Sequence, residues 1–302
     1  MTTYNSNGLD RLLAPKSIAM VGASNNIHSI GGLVFANIKR SFKGELFPIH
    51  PKDAQVQGLA AYADISSLPQ SVDLVVIAVA SHAVEAVIEQ AVAKRVGGVV
   101  LLSSGFAEAG AEGIALQARV AQKARDGGVR VIGPNCIGYL NIVGGVMANF
   151  ALTPDEPLPT GGSVALVSQS GGFGSYLTTK GLLTGLRLGW FVSTGNELDV
   201  NIAGVLRYLV EQPEVKVMLA FSETLRDPEV FIETARRAQE LDKPLVILKA
   251  GRSEAAVGDG HGNRPPFQAG ASAGGKTAPQ NLACADADFW RRRSGCCCLG
   301  DG

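Results

Sequence analysis

The sequence predicts an α/β protein built from two doubly wound units joined in tandem. Three observations carry that expectation. Short apolar runs alternate with helical stretches from residue 17 to residue 140, a shorter set of the same kind follows residue 162, and a Pro- and Gly-rich stretch, 153–162, separates them. The 302 residues, 46% of them hydrophobic, suffice for roughly two domains with a sizeable core.

In the first unit, strands are expected at 17–21, 45–49, 73–80, 98–103 and 129–132, with helices at 32–42, 82–95 and 112–126. Residues 73–80 are apolar on both faces, as suits a central parallel strand covered by helices. In the second helix Ala83, Val84, Val87, Ile88 and Ala91 recur at helical spacing, and Gly97-Gly98 supplies a stop. Strand, helix, strand repeated this way winds a parallel sheet. In the second unit, strands are expected at 163–167, 188–193, 215–221 and 244–249, with helices at 172–186, 200–212 and 228–241. No repeat of fixed period joins the two units.

Composition excludes several function classes. Lys plus Arg and Asp plus Glu are both 27, so no global field draws the chain to nucleic acid or an anionic membrane. Aromatics at 6% are too few for base-stacking platforms. No leader is evident, and no apolar run approaches about 18 residues, so the expected location is the cytoplasm, with no membrane partner. Cys136 stands alone in the body of the chain, which favours a reduced compartment over a disulfide framework. Adjacent Cys296, Cys297 and Cys298 cannot all face one zinc, so no metal is assigned.

The first strand, 17–21, breaks into Gly22-Ala23-Ser24-Asn25, a turn that aims backbone N–H groups and a helix end at one point, which suits a phosphate. A dinucleotide fingerprint wants Gly where Ser24 stands, and an acid after the second strand. Here that strand ends in His50-Pro51-Lys52, and a cation there favours a phosphorylated adenosine such as coenzyme A, ahead of NADP and NAD. Gly133-Pro134-Asn135-Cys136 follows the last strand of the first unit, where ligands sit in such folds. Ser168, Ser170 and Gly171, in Ser168-Gln169-Ser170-Gly171-Gly172, repeat the anion-site logic in the second unit; Ser170 is also a natural helix cap. Cys136, with no cation or histidine beside it in sequence, reads by itself as a small buried hydrophobe rather than a reactive thiol.

These segments, with Ser193-Thr194-Gly195-Asn196 and Lys249-Ala250-Gly251-Arg252-Ser253, resemble in order and spacing the NDP-forming acyl-CoA synthetases, relatives of the succinyl-CoA ligase α subunit. The resemblance covers about 9–257. It implies a Rossmann-type CoA-binding domain at 9–145, a truncated flavodoxin-like ligase domain at 160–257, and an irregular tail at 258–302, disordered or frame-shifted. It implies that Gly22, Ala23, Ser24, Asn25, Pro51 and Lys52 hold the nucleotide end of coenzyme A, while Asn135 and Cys136 lie near its thiol. Ser168, Ser170 and Gly171 then cradle the phosphate of a phosphohistidine, and Glu223 orients that histidine's ring.

Members of the family make acyl-CoA from an acid, coenzyme A and ATP or GTP. The sequence departs where their histidine stands: His261 lies between Gly260 and Gly262. No ATP-grasp region falls within these residues, so ATP and ADP would enter through an ATP-grasp partner of β-subunit type, and with both gaps the chain is not expected to catalyse the reaction alone. A non-catalytic CoA or acyl-CoA binding protein, and the ligase-like part of a protein lysine acetyltransferase, are the alternatives.

Overall fold

A computed structural model describes residues 8–155 and 157–250. Helix α1 (Leu9–Leu13) buries Leu9, Leu12 and Leu13 and leads into β1 (Ser17–Val21), buried at every position. After α2 (Ile30–Ser41) and β2 (Glu45–Ile49) comes a small antiparallel hairpin, β3 (Gln55–Val56) and β4 (Leu59–Ala60). Then follow β5 (Leu74–Ile77), α3 (Ser81–Ala93), β6 (Gly98–Leu101), α4 (Ala111–Asp126) and β7 (Arg130–Ile132). The five main strands are parallel in the order β2-β1-β5-β6-β7. The chain reverses direction across the sheet between β1 and β5, and ligands of doubly wound sheets bind outside the carboxyl ends at such a switch point.

The second sheet begins earlier in the chain than pattern alone suggests. β8 (Gly138–Asn141) and β9 (Val146–Asn149) form a hairpin, and β8 pairs antiparallel with β11 (Leu188–Ser193), which follows β10 (Val164–Ser168) and α5 (Gly171–Leu183). Next come α6 (Ile202–Val210), β12 (Val217–Ser222), α7 (Pro228–Glu240) and β13 (Leu245–Lys249). The sheet order is β13-β12-β10-β11-β8-β9. Its four parallel strands repeat the winding of the first sheet, with the second strand outside the first and the third and fourth on the other side. Residues 138–145, at the end of the expected first domain, thus hydrogen-bond into the second sheet. The signal for this hairpin was Gly144-Gly145 between two apolar runs.

One hydrophobic cluster runs through both units, joining Leu12, Phe35 and Val76 to Tyr139, Trp190 and Leu206. Polar contacts fix the junction. The Tyr139 hydroxyl donates to the Leu12 carbonyl at 3.0 Å, and the fully buried Asn37 donates through Nδ2 to the carbonyls of Asn149 (2.9 Å) and Leu152 (2.8 Å). Replacing Asn37 with alanine strands two buried carbonyls, so Asn37→Ala is expected to cost about 2 kcal/mol in urea unfolding.

Candidate functional site at the strand ends

The first ligand-facing loop is shaped by close backbone approach. Gly22 has φ 85°, and a Cβ there would lie 2.4 Å from the Ala78 carbonyl oxygen on the neighbouring strand end. A Cβ on Gly31 would lie 1.9 Å from the Gly22 carbonyl oxygen, so the first turn of α2 rests directly on the loop. Ser29 caps that helix by accepting from the Gly32 amide, which moves its start two residues ahead of the expected 32. Gly31 thus plays the part of the third fingerprint glycine, at a longer spacing than the pattern prescribes.

The side chains in this loop are mostly occupied. Asn25 donates to Asp53 Oδ2 (3.2 Å) and the Gln55 carbonyl (3.1 Å) and accepts from the Gln57 amide (2.7 Å), which ties the loop to the β3–β4 hairpin. Gln57 returns its amide group to the Ser24 and Gly32 carbonyls, both at 2.9 Å. Ser24 Oγ accepts from the Asn26 amide, and Ala23 is wholly buried. What Ala23 and Asn25 offer a ligand is therefore backbone, not side chain.

At the end of β2, His50 Nδ1 accepts from the Asp53 amide at 2.8 Å and turns the chain. Pro51 and Lys52 are exposed on this turn, and the Lys52 ammonium meets no carboxylate among the described residues. Asp53, which the sequence reading passed over, lies 3.7 Å from His50 Nδ1 and is engaged by Asn25.

The carboxyl ends of the two sheets meet at a seam. Asn135, with φ 55°, anchors its amide on the Ser103 carbonyl, and its side chain donates to Asn196 Oδ1 at 3.2 Å. Asn196 in turn donates to the Pro134 carbonyl through its backbone, and through Nδ2 to Glu108 (2.5 Å) and Gln117 (3.0 Å). Burial raises the Glu108 pKa, but the donors Asn196, Gly105 and Phe106 outweigh it and hold the carboxyl below its ordinary range. Cys136 points the other way. Its side chain lies in the core with Sγ 3.4 Å from the Leu101 carbonyl, and burial pushes the thiol up to about 12. The contact with coenzyme A that the resemblance implies for Cys136 is corrected at the side chain: the residue fills space as the small buried hydrophobe, and its thiol does not face the cleft.

In the second unit β10, β11 and β12 each end in a fully buried serine, Ser168, Ser193 and Ser222. Ser168 Oγ donates to the Ser170 carbonyl, and Ser170 Oγ accepts from the Phe173 amide as the α5 cap. That hydroxyl is spent on the helix, which leaves the first amides of α5, at Gly171 and Gly172, without intrahelical partners. Ser170→Ala is expected to lose about 1 kcal/mol of stability in thermal unfolding.

Gln169 is a residue the sequence reading missed. Its Oε1 accepts from the Glu223 and Thr224 amides (2.6 and 3.0 Å), and its Nε2 donates to the Thr224 carbonyl, so it sets the loop that carries Glu223. The Glu223 side chain is exposed beside that turn. Arg252 and His261 lie outside the described residues.

With this geometry in view, the comparisons with known proteins are decisive. Residues 16–141 match the family described as CoA binding domain, and residues 161–263 match the succinyl-CoA ligase like flavodoxin domain. The chain belongs to the NDP-forming acyl-CoA synthetase family, related to the succinyl-CoA ligase α subunit. Within this family it is 34% identical over 246 residues to acetate–CoA ligase [ADP-forming] II subunit alpha of Pyrococcus furiosus, which aligns 82% of this chain with 52% of that protein. It is 35% identical over 255 residues to trans-feruloyl-CoA synthase FCS1 from an unknown prokaryotic organism, covering 84% of this chain and 36% of that one.

Among solved structures, dinucleotide forming acetyl-coenzyme A synthetase 1 of Ca. Korarchaeum cryptofilum, in complex with phosphate and ADP, superposes with a TM-score of 0.82 at 31% identity. That match covers 98% of this chain and 60% of the other. The chain thus spans about a third to a half of the length of the curated relatives described here. Among the described residues no helix is long and apolar enough to cross a membrane.

Proposed function

We propose that this chain is the CoA-binding and ligase-like portion of an ADP-forming acid–CoA ligase, working in the cytoplasm with an ATP-grasp partner of β-subunit type. The observation that carries the reading is the pairing of the two matched domains with a seam between their strand ends, where Asn135 and Asn196 bond to each other. The nucleotide end of coenzyme A takes the 22–25 loop through the backbone amides of Ala23, Ser24 and Asn25, since that of Gly22 donates to the Ile49 carbonyl, and its extra phosphate takes Lys52. The thiol end reaches the Gly133–Asn135 turn. The α5 amides at Gly171 and Gly172, beside Ser168 and Ser170, receive a phosphoryl group. Glu223, on the turn braced by Gln169, orients the imidazole that carries it.

Acyl transfer by this scheme uses protein groups for positioning and charge stabilisation. Helix-end amides meet the phosphoryl oxygens, and the buried strand-end serines hold the loops in register. The nucleotide enters with the partner subunit. The relatives' names include acetate and feruloyl substrates, so a carboxylic acid is the class of co-substrate.

Amide hydrogen exchange tests this reading. Added coenzyme A is expected to slow exchange in peptides spanning 22–28 and 133–137 and to leave those of α7 unchanged. Equal protection across both sheets, or none, would contradict the assignment.

A further inference from the structure

Glu197 is a buried acid that the scheme above does not use. It follows β11 with φ 55°, and its side chain is 1% exposed. Oε1 accepts from the Thr194 hydroxyl at 3.0 Å and from the Ile202 amide, in the first turn of α6, at 2.8 Å. Oε2 is buried without a hydrogen bond, and the nearest cation is Arg226, whose Nε lies 3.4 Å away. Burial raises the Glu197 pKa, and the Ile202 amide, the Gln169 and Thr194 side chains and the Arg226 charge each work against that rise.

Arg226 belongs to the loop that carries Glu223. Its side chain is 54% exposed, Glu197 is its only carboxylate partner among the described residues, and its Nη2 donates to the Asn196 carbonyl at 3.3 Å. Of the other carboxylates nearby, Glu223 stands exposed on the same loop and the remaining two are committed. Glu108 is held by Asn196, Gly105 and Phe106, and Asp227 caps α7 through the Val230 amide. A guanidinium carries five donors in a planar fork, and this one meets no acceptor among the described residues beyond Glu197 and the carbonyl of Asn196, the residue that bonds Asn135 at the seam.

We infer that Arg226 is an oxyanion receptor at the seam, and that Glu197 is its positioning residue and built-in counter-ion, with which an incoming carboxylate or phosphate oxygen must compete. This deepens the proposed function by giving the acid or acyl phosphate a docking residue, and it rests on that reading for the ligand's identity. Glu197 anchors the guanidinium from below while its charge weakens the hold on a second anion. The two residues therefore act on affinity with opposite signs, which a merely structural role would not produce.

The test uses the full chain at pH 8, with acetate followed by saturation-transfer NMR and inorganic phosphate by 31P line broadening. Arg226→Gln is expected to weaken the bound anion about tenfold, the loss of one charge-assisted contact. Glu197→Gln keeps the acceptor for Ile202 and Thr194, removes the charge, and is expected to tighten binding about threefold. Arg226→Lys retains part of the affinity. Response to acetate alone marks a carboxylate subsite, and response to phosphate alone an acyl-phosphate subsite.

Circular dichroism and the unfolding midpoint identify a variant that has not folded, and the Arg226 variants, altered at a half-exposed position, then decide the matter without Glu197→Gln. The inference is overturned if Arg226→Gln binds either anion as the unsubstituted chain does, or if a folded Glu197→Gln binds no tighter. A chain that binds coenzyme A but neither anion overturns it and leaves the CoA reading standing. A chain that binds an anion through Arg226 but not coenzyme A does the reverse.

Discussion

Gly31→Ala is expected to destabilise the protein by about 3 kcal/mol, near the upper end of what overpacking costs. The added Cβ would sit 1.9 Å from the Gly22 carbonyl oxygen, and neither backbone can yield without opening the loop from α2. Coenzyme A binding should fall with stability, because the amides of the 22–25 loop are held in place by that same contact. Gly204→Ala is the control. Gly204 lies in α6, the nearest atom to an added Cβ is Oδ1 of the cap residue Asn201 at an ordinary 3.7 Å, and alanine there should be neutral or stabilising by up to about 1 kcal/mol. Urea unfolding of the two variants measures the contrast. A Gly31→Ala midpoint equal to that of Gly204→Ala would mean that the helix does not rest on the loop.

The second large effect concerns Cys136. Burial pushes its thiol up to about 12, from an ordinary value of 9.0, so at pH 8 the thiolate fraction falls about a thousandfold before access is considered. Alkylation by iodoacetamide, followed peptide by peptide, should leave Cys136 unmodified for hours in the folded chain and modify it within minutes in urea. The sign of the linkage follows. A folded-state pKa raised above the unfolded one stabilises the protein at neutral pH, and that contribution is lost as pH rises from about 9 through 12. Urea midpoints should therefore decline across that range, and a Cys136→Ala variant should show less of the decline. Rapid alkylation of native Cys136 at pH 8 would place the thiol in the cleft after all.

How far the sequence discloses the site depends on whether its contacts are local. β1 and β11 begin and end where the apolar runs do, because a strand buried on both faces declares itself by composition alone. The Ser170 cap was equally legible, since a cap acts within three residues. Asn25 was not. It has the composition of a phosphate loop, yet its amide group is spent on Asp53, Gln55 and Gln57, some thirty residues on. Gln169 and Glu197 escaped notice for a similar reason. A buried glutamine or glutamate acquires a role only when folding brings a second loop to it, and no spacing rule encodes that meeting. The β8–β9 hairpin follows a helix-rich stretch and pairs with a strand nearly fifty residues later, so its place in the second sheet is a tertiary fact.

Calorimetric titration with coenzyme A, dephospho-coenzyme A and NAD probes the central claim most directly, that the β1 and β2 ends grip a nucleotide through backbone amides and use Lys52 for an additional phosphate. Coenzyme A should bind about tenfold or more tightly than its dephospho form, NAD should bind more weakly than either, and Lys52→Ala should erase the gap between the first two. NAD binding as tightly as coenzyme A, or an undiminished gap in Lys52→Ala, would contradict the account.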